Sequence, residues 1–360
     1  MGRARPLLLL LVLALVLAGV GTASATPKRP DPVGSDPFNA GQPYTGDFPD
    51  PTVWRVGSRF FAASTTVASL SLPITTSTDL KTWTVAPSSD PAKATPYDGM
   101  PTPARWANIH TTKSGRQWAA TWAPSVAAIV NRRTHRATWV AAYSVPTASG
   151  RRCISLARSA GQLGPFVDTS VAPLLCGPYG TIDPQIFVDG SRFWLLYKVE
   201  GAPDRIWVRQ LNSSASAFAP GTRAFPLLAP KLAWEGSVVE NPGMIRFRKK
   251  LYLFYSGNGY GSPKYTTGYA ICKKVTGPCK RVSRLLTSGP YLAGPGGAAP
   301  FVDLAGHLRL VYHAWRTGNV GYPATEACLT SSQGCAQRRM YVATLIRTGK
   351  KGNLRVYRYW

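Results

Sequence analysis

Only sixteen of the 360 residues are Asp or Glu, against forty-two Lys and Arg, so an acid that recurs in a repeated setting is informative. Asp50, in GDFPDPTVWRVGSRFF, and Asp183, in DPQIFVDGSRFW, each precede a proline, and Gly-Ser-Arg-Phe follows each of them seven to ten residues later. Glu240, in VVENPGM, stands two residues ahead of another proline. Carboxyl groups gathered in one place can divide acid–base work. An ionised one activates water, while one kept protonated by a neighbouring negative charge gives its proton to a departing oxygen. Asp47 and Asp50 also have a blander reading as turn acids, and Glu235, the rival of Glu240 in WEGSVVENP, one as a loop acid.

Acids so far apart in the chain meet only if the fold repeats. RFFAAST, ATWVAAYSV, RFWLLYKV, RIWVRQLN, KLYLFYSG and RMYVATLI are short, aromatic and β-branched, and Gly, Pro, Ser or Asn separates them, which is the signature of strands. No long amphipathic helix pattern follows residue 25. Blocks opening near Asp50, Trp122, Asp183, Glu240 and Gly294 each begin with a proline-containing strand entry, and an aromatic second strand follows a turn. Five blocks of three or four strands predict an all-β, five-bladed β-propeller over residues 47–360; a β-sandwich with a smaller β-domain is the alternative. The innermost strands of a propeller start at one mouth of its channel, so Asp50, Asp183 and Glu240 are expected to converge there.

The first 25 residues, two arginines and an apolar run ending in Ala-Ser-Ala, read as a secretory signal peptide, and residues 26–46 as a Pro/Gly-rich leader. The protein is therefore expected outside the cell, as a monomer with no membrane attachment after cleavage. A formal net charge of +26 favours anionic partners, and secretion favours anionic wall polymers over nucleic acid. Cys272/Cys279 and Cys328/Cys335 share a Cys-x6-Cys spacing and are expected to form local disulfides, with Cys153–Cys176 third by elimination. No paired Cys-x2-Cys or histidine spacing supports zinc.

The motifs DFPDPTVWRVGSRFFAAST, STDLKTW, WAPSV, GTIDPQIFVDG and VVENPGMIRFRKKLYLFYSGNGY, in this order, resemble glycoside hydrolase family 43 along essentially the whole mature chain. The resemblance implies a five-bladed propeller that hydrolyses arabinose- or xylose-containing polysaccharides with inversion. It implies Asp50 as general base, Asp183 as the acid that orients and tunes, and Glu240 as general acid. α-L-arabinofuranosidase activity is expected first; endo-arabinanase, β-xylosidase and a silent carbohydrate-binding propeller are the alternatives. Trp122 and Phe48 are candidate sugar platforms at the mouth, with packing between blades as the competing role. His313, in LVYHAW, resembles a family histidine beneath the pocket that contacts a cation in some members. No cofactor is expected to be required, and a structural Ca2+ or a water is expected near the central channel.

Overall fold

The computed structural model describes residues 46–85, 97–131, 133–322 and 336–359. The expected signal peptide, the expected leader up to residue 45 and the expected Cys328–Cys335 pairing lie outside them. Blade 1 is an antiparallel meander of β1 (Thr52–Val56), β2 (Arg59–Ala63), β3 (Ile74–Ser77) and β4 (Thr84–Val85). A hairpin of β5 (Ile109–Thr111) and β6 (Gln117–Ala119) leads into blade 2, made of β7 (Trp122–Val130), β8 (Ala137–Pro146) and β9 (Arg152–Ser159). Blade 3 holds β10 (Thr181–Asp189), β11 (Arg192–Val199), β12 (Arg205–Leu211) and β13 (Phe225–Leu228). Blade 4 holds β14 (Val239–Phe247), β15 (Lys250–Gly257), β16 (Thr266–Cys272) and β17 (Cys279–Leu286). Blade 5 holds β18 (Leu292–Val302), β19 (Leu308–Arg316), β20 (Arg339–Thr348) and β21 (Asn353–Tyr359). The expected five-bladed propeller is the fold.

The second strand of each blade explains why its sequence is almost continuously apolar. Successive side chains of a strand point to opposite faces, and here both faces are covered by neighbouring blades. On β15, Leu251, Leu253 and Tyr255 pack with blade 3, whereas Tyr252 and Phe254 pack with blade 5. On β11, Phe193, Leu195 and Tyr197 face blade 2, and Trp194 and Leu196 face blade 4. Five such clusters, one at each blade junction, form the core.

Blades 1 and 5 exchange no strand among the described residues, so side chains and one backbone bond close the ring. Phe48, Phe60, Ala62 and Trp83 from the first blade and its approach pack on Phe301, Val311, Met340 and Val342 from the last. The Phe48 N–H donates to the Arg338 carbonyl at 2.8 Å. Two expected disulfides are present: Cys153–Cys176 ties β9 to the chain entering blade 3, and Cys272–Cys279 closes the β16–β17 loop. No helix among the described residues is long and apolar enough to cross a membrane.

Candidate active site

The first strands β1, β7, β10, β14 and β18 lie beside one another around the centre, and their entries share one device. β7, β10 and β14 each gain one extra residue against the second strand of their own blade and β18 gains two, bulges that kink the strand and re-aim a side chain. A left-handed φ recurs at this entry in every blade, at Asp50 (51°), Ala123 (44°), Asp183 (57°), Asn241 (50°) and Gly297 (58°), with Gly294 (59°) at the first bulge of β18. The conformation disfavours residues carrying a Cβ, and it persists at sites where surrounding bonds over-determine it.

Those bonds are supplied by the preceding blade. The N–H of Ala123 donates to Thr65 Oγ1 at 2.9 Å, that of Asp183 to Ser144 Oγ at 2.9 Å, and that of Gly297 to Ser256 Oγ at 3.0 Å. The Asp50 N–H donates to His313 Nδ1 at 3.0 Å, which joins the last blade to the first. The equivalent position in blade 3 is Lys198, which has no lone pair to offer. There the Asn241 N–H donates instead to Asp183 Oδ2 at 2.9 Å. Lysine at this one position frees a cation for other work and hands its structural duty to an acid.

Three carboxylates meet at this ring. Asp50 accepts from Thr65 Oγ1 at 2.7 Å and faces the Arg338 guanidinium at 3.3 Å. Burial penalises its charge, but Arg338 and the Thr65 bond outweigh that and hold the carboxyl below its usual range. Asn241 Nδ2 reaches Asp50 Oδ1 at 3.4 Å while its backbone holds Asp183, so one asparagine spans the two acids. Glu240 accepts from Tyr265 Oη at 2.8 Å and from Lys198 Nζ at 2.8 Å; Lys198 also pairs with Asp204 at 2.9 Å. Burial, then the charge of Glu240, pushes Asp183 well above the usual carboxylate range. Arg338 and Thr65 thus favour the ionised form of Asp50, and burial beside Glu240 favours the protonated form of Asp183. Carboxyl groups with such opposed environments are suited to activating water on one side of a bond and protonating the oxygen that leaves on the other.

The sequence model of glycosyl hydrolases family 43 matches residues 42–337. The chain belongs to this family. Solved structures share its fold at low identity. A thermostable family-43 glycoside hydrolase is 23% identical, with a TM-score of 0.64 over 91% of this chain and 96% of the other. An endo-1,4-β-xylanase from Bacteroides thetaiotaomicron is 21% identical (TM-score 0.62; 88% and 96% covered). An exo-1,5-α-L-arabinanase from a bovine ruminal metagenomic library is 18% identical (TM-score 0.62; 89% and 99% covered). No curated protein matches the chain.

Within this family-43 propeller the expected acids converge, with one change of register. Asp50 and Asp183 are equivalent, but the blade-4 residue equivalent to them is Asn241; Glu240 lies one residue earlier, opposite Ser256 on β15. Glu235 is fully buried away from the three acids and is held by Tyr255 Oη and Arg281 Nε, each at 2.7 Å, so its role is structural. Phe48 corrects the expectation of a sugar platform: it is 0% exposed within the blade 1–5 junction and offers no ring face at the mouth. Trp122 is half-buried at the start of β7, beside Ala123, where a platform remains compatible with its exposure.

His313 does not fit the expected metal ligand. Its Nδ1 accepts the Asp50 N–H, which assigns the ring proton to Nε2, and a protonated nitrogen has no lone pair for a cation. Nε2 is buried without a hydrogen-bond partner among the described residues, a donor that suits an oxygen acceptor such as water. Burial pushes the imidazole down to about 3, so it stays neutral. No group of three or more His, Cys, Asp or Glu among the described residues is placed to hold a metal.

Arg338 carried no signal in the sequence. It precedes β20, and only ring closure brings it to Asp50. Asp47, the other acid of the opening motif, positions it: Asp47 Oδ1 accepts the Arg338 N–H at 2.7 Å and Tyr322 Oη bonds Asp47 Oδ2 at 3.0 Å. Arg338 Nε donates to the same Tyr322 oxygen at 2.8 Å.

Proposed function

We propose that the protein is a secreted, inverting α-L-arabinofuranosidase that removes terminal arabinose from plant cell-wall arabinan or arabinoxylan. The observation that carries the reading is the meeting of three acids at one ring: Asp50 against Arg338, Asp183 under the Asn241 N–H, and Glu240 between Tyr265 and Lys198. Asp50 takes a proton from water as its oxygen attacks the anomeric carbon. The glycosidic bond breaks as Glu240, acting as the acid, gives its proton to the departing oxygen. Lys198 keeps Asp204 as a second partner throughout.

Burial of the acids supports terminal action: the side chains of Asp50 and Glu240 are 13% exposed and Asp183 is 8% exposed. The two local disulfides and the signal-like first 25 residues support an oxidising, extracellular location. The test is product analysis on branched arabinan, debranched arabinan, arabinoxylan and xylo-oligosaccharides. Free arabinose from the branched polymers, with the backbones uncut, is expected. Arabino-oligosaccharides from debranched arabinan, or xylose from xylo-oligosaccharides, would replace this specificity, and no release from any substrate would make the chain a binding module.

A further inference from the structure

The far ends of blades 4 and 5 carry a groove that the hydrolytic reading does not use. It encloses about 570 Å³; seven of its twelve lining residues are Lys or Arg and none is Asp or Glu. Three turns build it: the β14–β15 turn, the disulfide-closed Cys272–Cys279 loop and the β20–β21 turn. Glu240 opens β14 and the groove lies past Phe247 at its other end, roughly 23 Å away at about 3.3 Å per residue. The groove and the acids therefore occupy opposite faces.

Two of its cations are already committed. Arg246 makes a bidentate pair with Asp189 at 2.8 and 2.9 Å, and Arg281 pairs with Glu235. Lys249, Lys250, Lys273, Lys280 and Lys351 have no acidic partner among the described residues. The backbone is shaped to present them. In blades 1 and 3 the equivalent two-residue turns are Gly-Ser, with the glycine at positive φ. In blade 4 the turn is Arg248-Lys249, both at positive φ (45° and 66°), a turn that favours Asn-Gly and disfavours large side chains. The turn places Lys249 on the groove where blades 1 and 3 carry only Gly-Ser. The walls are fixed as well: Tyr252 Oη donates to the Gly352 carbonyl at 2.7 Å, and the Leu354 N–H donates to Tyr269 Oη at 2.8 Å, fastening the blade-5 turn to blade 4.

We propose that this groove binds a carboxylate-bearing polysaccharide, a polyuronate, and holds the enzyme on its wall material while the opposite face stays free for catalysis. This rests on reading the chain as a polysaccharide hydrolase. The free cations are all ammonium groups, which act as point charges and suit singly charged groups spaced along a polymer. No aromatic side chain lines the groove, so bases of a single-stranded nucleic acid would find nothing to stack on.

The test measures retention of the full protein on polygalacturonate and on its neutral methyl ester, with duplex DNA and inorganic polyphosphate as further arms. A Lys249→Gln/Lys273→Gln/Lys280→Gln/Lys351→Gln variant is compared with a control of equal charge change, Lys113→Gln/Arg133→Gln/Arg136→Gln/Arg205→Gln, all at exposed positions. Wild type should bind polygalacturonate with an affinity that falls steeply with salt and should ignore the ester. The groove variant should lose at least tenfold, the control less than twofold. Equal losses in both variants, no loss in the groove variant, or tighter binding to DNA or polyphosphate would overturn the proposal. Retention is read without turnover, so the groove is judged even if no glycoside is cleaved; unchanged melting temperatures in both variants exclude misfolding.

Discussion

On the proposed mechanism the leaving group demands different things of Asp50 and Glu240. Asp50→Ala removes activation of water, which every substrate needs, so activity on polysaccharide and on activated aryl glycosides should fall together by at least a thousandfold. Glu240→Ala removes only protonation of the leaving oxygen. A dinitrophenolate departs with little help, so that variant should keep a substantial fraction of wild-type kcat on a dinitrophenyl glycoside while losing arabinan activity. Equal losses on both substrates would remove Glu240 from the acid role. Asp47 supports the site at a cost that pH should expose. Burial, only partly offset by Arg338, raises its carboxyl to about 6. A folded pKa above the unfolded one stabilises fully below about pH 4, and that contribution is lost as pH climbs through about 6. Its size is on the order of 3 kcal/mol. Asp47→Asn keeps an oxygen for the Arg338 N–H and does not titrate, so its melting temperature should gain on wild type between pH 4 and pH 7. Parallel curves would contradict the assignment.

The five strand entries, each with a left-handed residue and four of them bulged, turn one local motif into a site. Ser144 and Ser256 do the same structural work in different blades, but Ser144 holds the Asp183 N–H and Ser256 holds that of Gly297. Each Ser→Ala change orphans a buried donor and should cost about 1–3 kcal/mol in denaturant unfolding. Ser144→Ala should also lower kcat, because it loosens Asp183 directly; an unchanged kcat in that variant would sever the bulge from the chemistry. Gly297 shows the crowding at this level, since a Cβ there would lie 2.5 Å from the His313 ring and 2.8 Å from Asp50 Oδ1. The Asp-Pro and Gly-Ser-Arg-Phe repeat made Asp50 and Asp183 legible in the sequence because the bulge and the turn each leave a residue-type trace. Asn241 was obscured because blade 4 keeps the backbone device while carrying its acid one residue earlier, where glutamate's extra methylene extends its reach.

Closure of the ring accounts for what the sequence concealed. Strand content and the five blocks follow from periodicity and Cys272–Cys279 from spacing, which are local, while Cys153–Cys176 follows by elimination. Arg338 at Asp50, and Phe48 in the core, depend on the last blade meeting the first, and no repeat records that junction. An aromatic beside a catalytic acid reads as a platform until the opposite wall is known. Phe48→Ala should therefore act on stability, lowering it by about 3–5 kcal/mol, with KM unchanged at a temperature where the variant stays folded. A raised KM with unaltered unfolding would return Phe48 to the mouth.

Asp50 is proposed to activate water directly against the anomeric carbon, without a covalent intermediate. Proton NMR of the first minutes of turnover on an aryl α-L-arabinofuranoside tests this. β-L-Arabinofuranose should appear first, with the α anomer growing in only by mutarotation; initial appearance of the α anomer would show retention and contradict direct attack by water.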